Sequence, residues 1–177
     1  NIGHENINLK GVITSELNEA NELLMTEMIQ KGIFKDIEQN TIGTINLLEA
    51  SKISCPEAKL FFASSSEIFG SVENEKLLSQ DSEKTPKNPY GVSKLAANQM
   101  VKIYRDCFDM QCCSGILFNH EGPFRSRQFV TRKISFNLAR LKLLGGAPLE
   151  LGNFDSSRDW GSAQDYTLGM LKLLELD

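Results

Sequence analysis

Two short apolar runs, KLFFAS at 59–64 and CCSGILFN at 112–119, constrain the fold of this chain more than any other feature. Both are too short for a typical helix, and neither shows the clean polar alternation of a half-solvated strand, so each reads as a buried strand. Between and after them the apolar period becomes helical, in the stretch following Tyr90, in FVTRKISFNLARLKLL (129–144) and in SAQDYTLGMLKLLEL (162–176). Strands buried on both faces need helices to cover them, and parallel neighbours need a helical crossover. The expected class is therefore α/β, a parallel sheet with flanking helices.

The remaining elements follow from local signals. Residues 1–13 have no clear period. SELNEANELLMTEMIQKG (15–32) reads as an amphipathic helix capped by Ser15, with Leu17, Ala20, Leu24 and Met28 as its stripe and Gly32 as its stop. A second helix is expected from Phe34 to Ser54, with Ile37, Ile45, Leu48 and Ala50 inward. A polar loop runs from Glu73 to Pro89, and the Tyr90 helix continues to Phe108. Gly145 and Gly146 end the helix of 129–144, LELGN (149–153) reads as a short strand, and Ser162 caps the last helix.

Bulk composition excludes several function classes. The net charge of −4 leaves no basic excess for a nucleic-acid duplex, although a small anionic ligand needs only a few local cations. No apolar run reaches the length of a membrane span, and the first residues are polar, so no membrane partner is expected and the compartment expected is cytoplasmic. Cys55, Cys107, Cys112 and Cys113 form no C-x-x-C pair, and with two histidines in the chain no metal site is expected. Reduced thiols are the expected state.

In sheets of this kind, ligands lie beyond the carboxyl ends of the strands. Two polar segments leave strands there: SSSE (64–67) after the first and NHEGPFR (119–125) after the second. Nearby in sequence, NPYGVSK (88–94) places Tyr90 and Lys94 four residues apart, on one face of a helix. By itself that pair is equally an aromatic residue and a solvated cation on an amphipathic surface, and the serines are equally a hydroxyl-rich turn.

Taken together, Ser65, Glu67, Tyr90 and Lys94 resemble the extended short-chain dehydrogenase/reductase superfamily, and NTIGTINLLEAS (40–51) resembles the helix that precedes its serine/threonine strand. ASSSEIFG, NPYGVSK, GILFNHEGP, FVTRKIS and LGNFDSSRDWGSAQDY, in this order over residues 38–172, resemble the GDP-mannose 4,6-dehydratase family in particular. The resemblance implies a Rossmann-like fold and the lyase chemistry of nucleotide-sugar metabolism, on the route to GDP-fucose. GDP-mannose would become GDP-4-dehydro-6-deoxy-mannose by transient oxidation at C4, loss of water across C5 and C6, and return of hydride, with NADP as cofactor. It implies catalytic roles for Ser65, Glu67, Tyr90 and Lys94. Lys94, His120 and Arg125 would contact the cofactor, and Asn119, Val130, Lys133 and Arg158 the GDP-sugar. Asn40 would support the active-site lysine. A free phenol has a pKa of about 10, so the base role of Tyr90 calls for a cation beside it, which Lys94 would supply. Ser65 stands where the family usually has threonine; either residue supplies a hydroxyl.

The resemblance also has a gap. Members of the superfamily open with a glycine-rich turn that cradles pyrophosphate at a helix N-terminus. NIGHENINLKG has neither its spacing nor a strand before it. The expected organisation is thus an unassigned helical segment over 1–36 and a partial catalytic domain over 37–177, an incomplete Rossmann-like sheet lacking its glycine-rich βαβ half, and a homo-oligomer when complete. The alternative function is a non-catalytic or truncated module of the same fold, acting by binding or subunit association.

Overall fold

A computed structural model describes residues 32–71, 77–153, 155 and 157–176. The helix expected over 15–32, and with it nearly all of the expected 1–36 segment, lies outside the described residues. The first helical stretch runs without a break through α1 (Ile33–Asp36), a π-helical turn (Ile37–Ile42) and α2 (Gly43–Ser54). Then come β1 (Leu60–Ser65), a 3₁₀ turn (Ser66–Phe69), α3 (Pro89–Phe108), β2 (Cys112–Leu117), β3 (Asn119–Glu121), α4 (Val130–Leu144), β4 (Trp160–Ser162) and α5 (Ala163–Glu175).

The strands form two parallel pairs. β1 lies beside β2 in register from Leu60 opposite Cys112 to Ser65 opposite Leu117, with α3 as the crossover. β3 lies beside β4, Asn119 opposite Trp160 and Glu121 opposite Ser162. One small core joins the first pair to its helices: Leu48 of α2, Phe62 of β1, Ala97, Val101 and Tyr104 of α3, and Met110 and Cys112 at the entry to β2. The opposite face of β1 is relieved by a glycine. A Cβ on Gly115 would sit 2.5 Å from the Phe61 ring, so the larger side chain fills the space the smaller one leaves.

The α3 boundaries follow their local signals. Asn88 is extended and its Oδ1 accepts from the Gly91 N–H at 2.7 Å, while Pro89 takes the first helical position, where its missing N–H costs nothing. At the other end Asp109 adopts a left-handed conformation (φ 54°) that turns the chain into β2.

Three expectations are corrected. LELGN forms no strand, and residues 149–153 are irregular; a strand needs a ladder partner, and the described pairs are β1 with β2 and β3 with β4. In the first helical stretch Thr44 and Leu48 are buried, whereas Ile37 is 40% exposed and Ala50 is exposed too. The π turn inserts extra residues per turn and so rotates the face that meets α3 to Asn40, Thr41, Thr44 and Leu48. The run CCSGILFN is not one buried strand: β2 stops at Leu117, and only Cys112 within it is fully buried.

Candidate active site

The sequence-predicted catalytic residues lie at one junction, where the carboxyl end of β1 meets the amino end of α3. Ser65 is the last residue of β1 and caps the following 3₁₀ turn, its Oγ accepting from the Glu67 N–H at 3.3 Å. Because that oxygen serves as an acceptor, the Ser65 O–H remains available as a donor. The Glu67 carboxylate accepts from Asn88 Nδ2 at 2.7 Å. Its backbone lies equally close to α3: a Cβ on Gly91 would stand 2.6 Å from the Glu67 carbonyl oxygen and 3.0 Å from Pro86 Cβ. Only glycine lets the 3₁₀ turn and the first turn of α3 approach this closely.

Tyr90 follows one residue into α3 and is 37% exposed. One turn later Lys94 extends along β1. Its Nζ donates to the Ala63 carbonyl at 2.9 Å and stands 5.0 Å from the Phe62 ring centroid and 5.7 Å from that of Tyr90. Burial pushes the Lys94 ammonium below its ordinary range, since the half-buried charge loses water. Ser93 braces this turn from behind. Only 1% exposed, it donates from Oγ to the Tyr90 carbonyl at 2.8 Å and accepts from Asn40 Nδ2 at 3.1 Å, and its own carbonyl accepts from Thr41 Oγ1 at 3.0 Å. Asn40 thus reaches Ser93, the neighbour of Lys94, rather than Lys94 itself.

The second polar segment adjoins the first, because Asn119 begins β3 two residues beyond Leu117, the strand partner of Ser65. Phe118 stacks on Phe69 of the 3₁₀ turn with centroids 6.4 Å apart. His120 Nδ1 lies 2.8 Å from the Phe118 carbonyl, which only accepts, so Nδ1 is the donor of this bond. The imidazole stacks on Tyr166 at 4.9 Å. Arg125 pairs with Glu121 at 3.2 Å, off the angle of a hydrogen bond, and its guanidinium lies 3.5 Å from the Phe129 centroid. Glu121 also accepts from Thr131, which ties this loop to α4.

The other predicted contacts stand apart. Val130 opens α4 and is 44% exposed; Lys133 Nζ donates to the Glu150 carbonyl at 2.9 Å, and Arg158 donates to the Ser157 carbonyl at 2.7 Å. Among the described residues, no hydrogen bond or ion pair joins these three to the Ser65–Lys94 junction. Asn88 is the residue that sequence reasoning missed. Asn-Pro ahead of a helix signals a cap, but nothing local announces its second bond, to a carboxylate 21 positions away.

The arrangement holds a hydroxyl donor, a carboxylate, a phenol and an ammonium at the mouth of a parallel strand pair. Lys94 spends one of its three donors on Ala63, and the Ser65 O–H is a further donor at the same corner. Spare donors next to an accessible phenol fit the hydroxyl-rich ribose and the amide of a nicotinamide nucleoside. No glycine-rich turn for its pyrophosphate occurs among the described residues.

Comparison with known proteins identifies the family. The sequence profile described as GDP-mannose 4,6 dehydratase matches residues 33–177. A second profile, described as DSHCT (NUC185) domain, matches residues 4–47. GDP-mannose 4,6-dehydratase of Yersinia enterocolitica is 42% identical over 140 residues, 78% of this chain and 37% of the relative. The Homo sapiens enzyme is 40% identical over 139 residues, 77% of this chain and 37% of the relative. The chain therefore spans just over a third of the length of the curated relatives it matches. Among solved structures, RMD from Pseudomonas aeruginosa complexed with NADPH superposes with a TM-score of 0.76 at 30% identity, covering 82% of this chain and 51% of that one. A dTDP-glucose 4,6-dehydratase from Bacillus anthracis in complex with NAD shares the fold, with a TM-score of 0.71 at 24% identity over 78% of this chain and 43% of that one. By fold the chain is a Rossmann-type parallel α/β structure of the dehydratase and epimerase kind, covering about half of such a chain, and by sequence it belongs to the GDP-mannose 4,6 dehydratase family.

Proposed function

We propose that this chain carries the catalytic portion of a nucleotide-sugar dehydratase that converts GDP-mannose to GDP-4-dehydro-6-deoxy-mannose with NADP. The observation that carries the reading is the junction itself. Glu67 is clasped to the residue that caps the helix bearing Tyr90 and Lys94, so the groups needed for two successive proton transfers share one rigid corner. Family membership supplies the substrate class.

Tyr90 takes the proton of the sugar C4 hydroxyl, and Ser65 donates a hydrogen bond to the same oxygen through its free O–H. Lys94 stands one turn from Tyr90, with its Nζ 5.7 Å from the ring centroid, and sets a cation beside the phenol. When bound, the nicotinamide would supply a hydride acceptor for C4 and a hydride donor for C6. The C4 ketone acidifies the C5 proton, which Glu67 removes and delivers to the departing C6 hydroxyl, so that water leaves; as C6 gains hydride, C5 takes the proton that Tyr90 carries from the C4 hydroxyl. His120 and Arg125 contact the cofactor in this reading, while Asn119, Val130, Lys133 and Arg158 contact the GDP-sugar. The last two cations suit a diphosphate.

The test is to incubate the chain with GDP-mannose and NADP and identify the product by mass, in parallel with an NADPH titration followed by nicotinamide fluorescence. Because no glycine-rich turn is present in the sequence, half-saturation is expected above the roughly 1 mM that bounds typical KM values. Glu67→Gln should abolish water loss and let reduced cofactor accumulate slowly; Tyr90→Phe should suppress that accumulation. Each loss should be about 10²- to 10⁴-fold, the usual contribution of a general acid or base. Unimpaired dehydration by Glu67→Gln would overturn the assignment. The same lack of a glycine-rich turn favours one second reading, a non-catalytic module of this fold. Absence of both product and any NADPH fluorescence change would select it.

A further inference from the structure

We propose that Asn88 is a positioning residue for the carboxylate of Glu67, which deepens the reading above and rests on it for its catalytic consequence. The side chain of Asn88 makes two bonds of opposite polarity. Its Oδ1 accepts from the Gly91 N–H at 2.7 Å, and its Nδ2 donates to Glu67 Oε2 at 2.7 Å. The first bond fixes the orientation of the second. A backbone N–H only donates, so the atom facing it is the amide oxygen, and the amide nitrogen must point the other way, at Glu67. The carboxylate is thereby held at the amino end of α3, one residue from Tyr90.

A second contact makes the clasp a hinge-free one. The Glu67 carbonyl is so close to Gly91 that a Cβ there would stand 2.6 Å away, and Glu67 N–H is bound to Ser65 Oγ. Backbone and side chain of Glu67 are therefore both referenced to the first turn of α3. With its backbone fixed, the freedom left to this exposed side chain is its own rotamers, and the bond from Asn88 is the one that selects among them. A carboxylate that wanders costs rate, because a misplacement of about 1 Å at a reacting group costs on the order of 10²-fold.

The experiment uses the full chain and variants that keep the helix cap. Asn88→Asp retains the acceptor for Gly91, loses the donor and sets a second carboxylate against Glu67; Asn88→Ser retains a hydroxyl acceptor for Gly91 and removes the amide nitrogen that reaches Glu67, leaving a shorter O–H in its place. Both should melt within a few degrees of the parent while kcat for water loss from GDP-mannose falls about 10- to 100-fold at unchanged KM. A purely structural role would instead lower Tm and leave kcat alone. In the parent chain, the Asn88 side-chain amide protons should show a downfield resonance and nuclear Overhauser contacts to the Glu67 side chain, and both should vanish in Glu67→Ala. An Asn88 amide signal indifferent to Glu67→Ala overturns the proposal, as does Asn88→Asp with parental kcat. If the chain turns over no GDP-mannose, the dehydratase reading fails, and the amide signal still decides whether Asn88 holds Glu67.

Discussion

Ser93 shows how much a single buried hydroxyl can organise. It lies between Tyr90 and Lys94 on α3 and faces the first helical stretch, away from the strand mouth. Ser93→Ala would leave the Asn40 amide without its acceptor in a part-buried setting, a loss of about 1–3 kcal/mol in unfolding free energy. The check is the denaturant midpoint, with Asn40→Ala as the second arm; removing both partners should cost less than the sum of the single losses. Gly91→Ala acts on the other side of the same turn. Its Cβ meets a backbone carbonyl and a proline ring, neither of which can swing away, so an overpacking cost of about 1–3 kcal/mol is expected, with impaired turnover. The pairing of Tyr90 with Lys94 was legible in sequence, since a four-residue spacing is local. The bonds of Asn88 to Glu67 and Asn40 to Ser93 were not, because they join segments 21 and 53 positions apart.

At the scale of elements, legibility follows how local the signal is. The helix from Tyr90 to Phe108 was expected almost to the residue, because Asn88, Pro89 and the apolar stripe all mark it. The π turn was not foreseen, as nothing in IEQNTI departs from ordinary helical composition; the turn serves the docking of Asn40 and Thr41 on α3. LELGN has the composition of a strand, yet composition supplies no neighbour. The contact of α2 with α3 carries a prediction of its own. Glu49 accepts from Lys52 at 2.7 Å and from the Tyr104 hydroxyl, and these bonds, Lys52 first, hold its carboxyl below the usual range. Tyr104 is raised in turn, mainly by its bond to Glu49 and then by burial, so the two shifts are one interaction seen from both ends. A depressed carboxyl contributes stability that is present above its unfolded value and lost as pH falls through the folded one. The raised phenol contributes stability that is lost as pH climbs past about 10 toward its folded value. Tm should therefore decline at both extremes, and Glu49→Gln should flatten both declines. An acid limb of Tm against pH that is equally steep in Glu49→Gln would refute the pairing.

Across the whole molecule, stability is concentrated on one side. The core cluster draws on α2, β1, α3 and the entry to β2, while α4 and α5 contribute no fully buried residue among those described. α4 is tied by Thr131 to Glu121 and by Lys133 to the Glu150 carbonyl, and several of its larger side chains lie in the open, Leu143 and Leu144 at 80% and 82% exposure. Opening such a helix uncovers little apolar surface, so its local unfolding free energy should fall well below the global value. Amide exchange should accordingly be slowest through β1, β2 and Val101–Tyr104 and fastest in α4. The proposed sugar-nucleotide contacts Val130 and Lys133 sit on this weakly held element, which makes α4 the place where binding should register. At 100 times Kd a ligand adds about 2.7 kcal/mol to the state that binds it, so GDP at that level should slow exchange in α4 by roughly 100-fold. No change in α4 would remove Val130 and Lys133 from the substrate site.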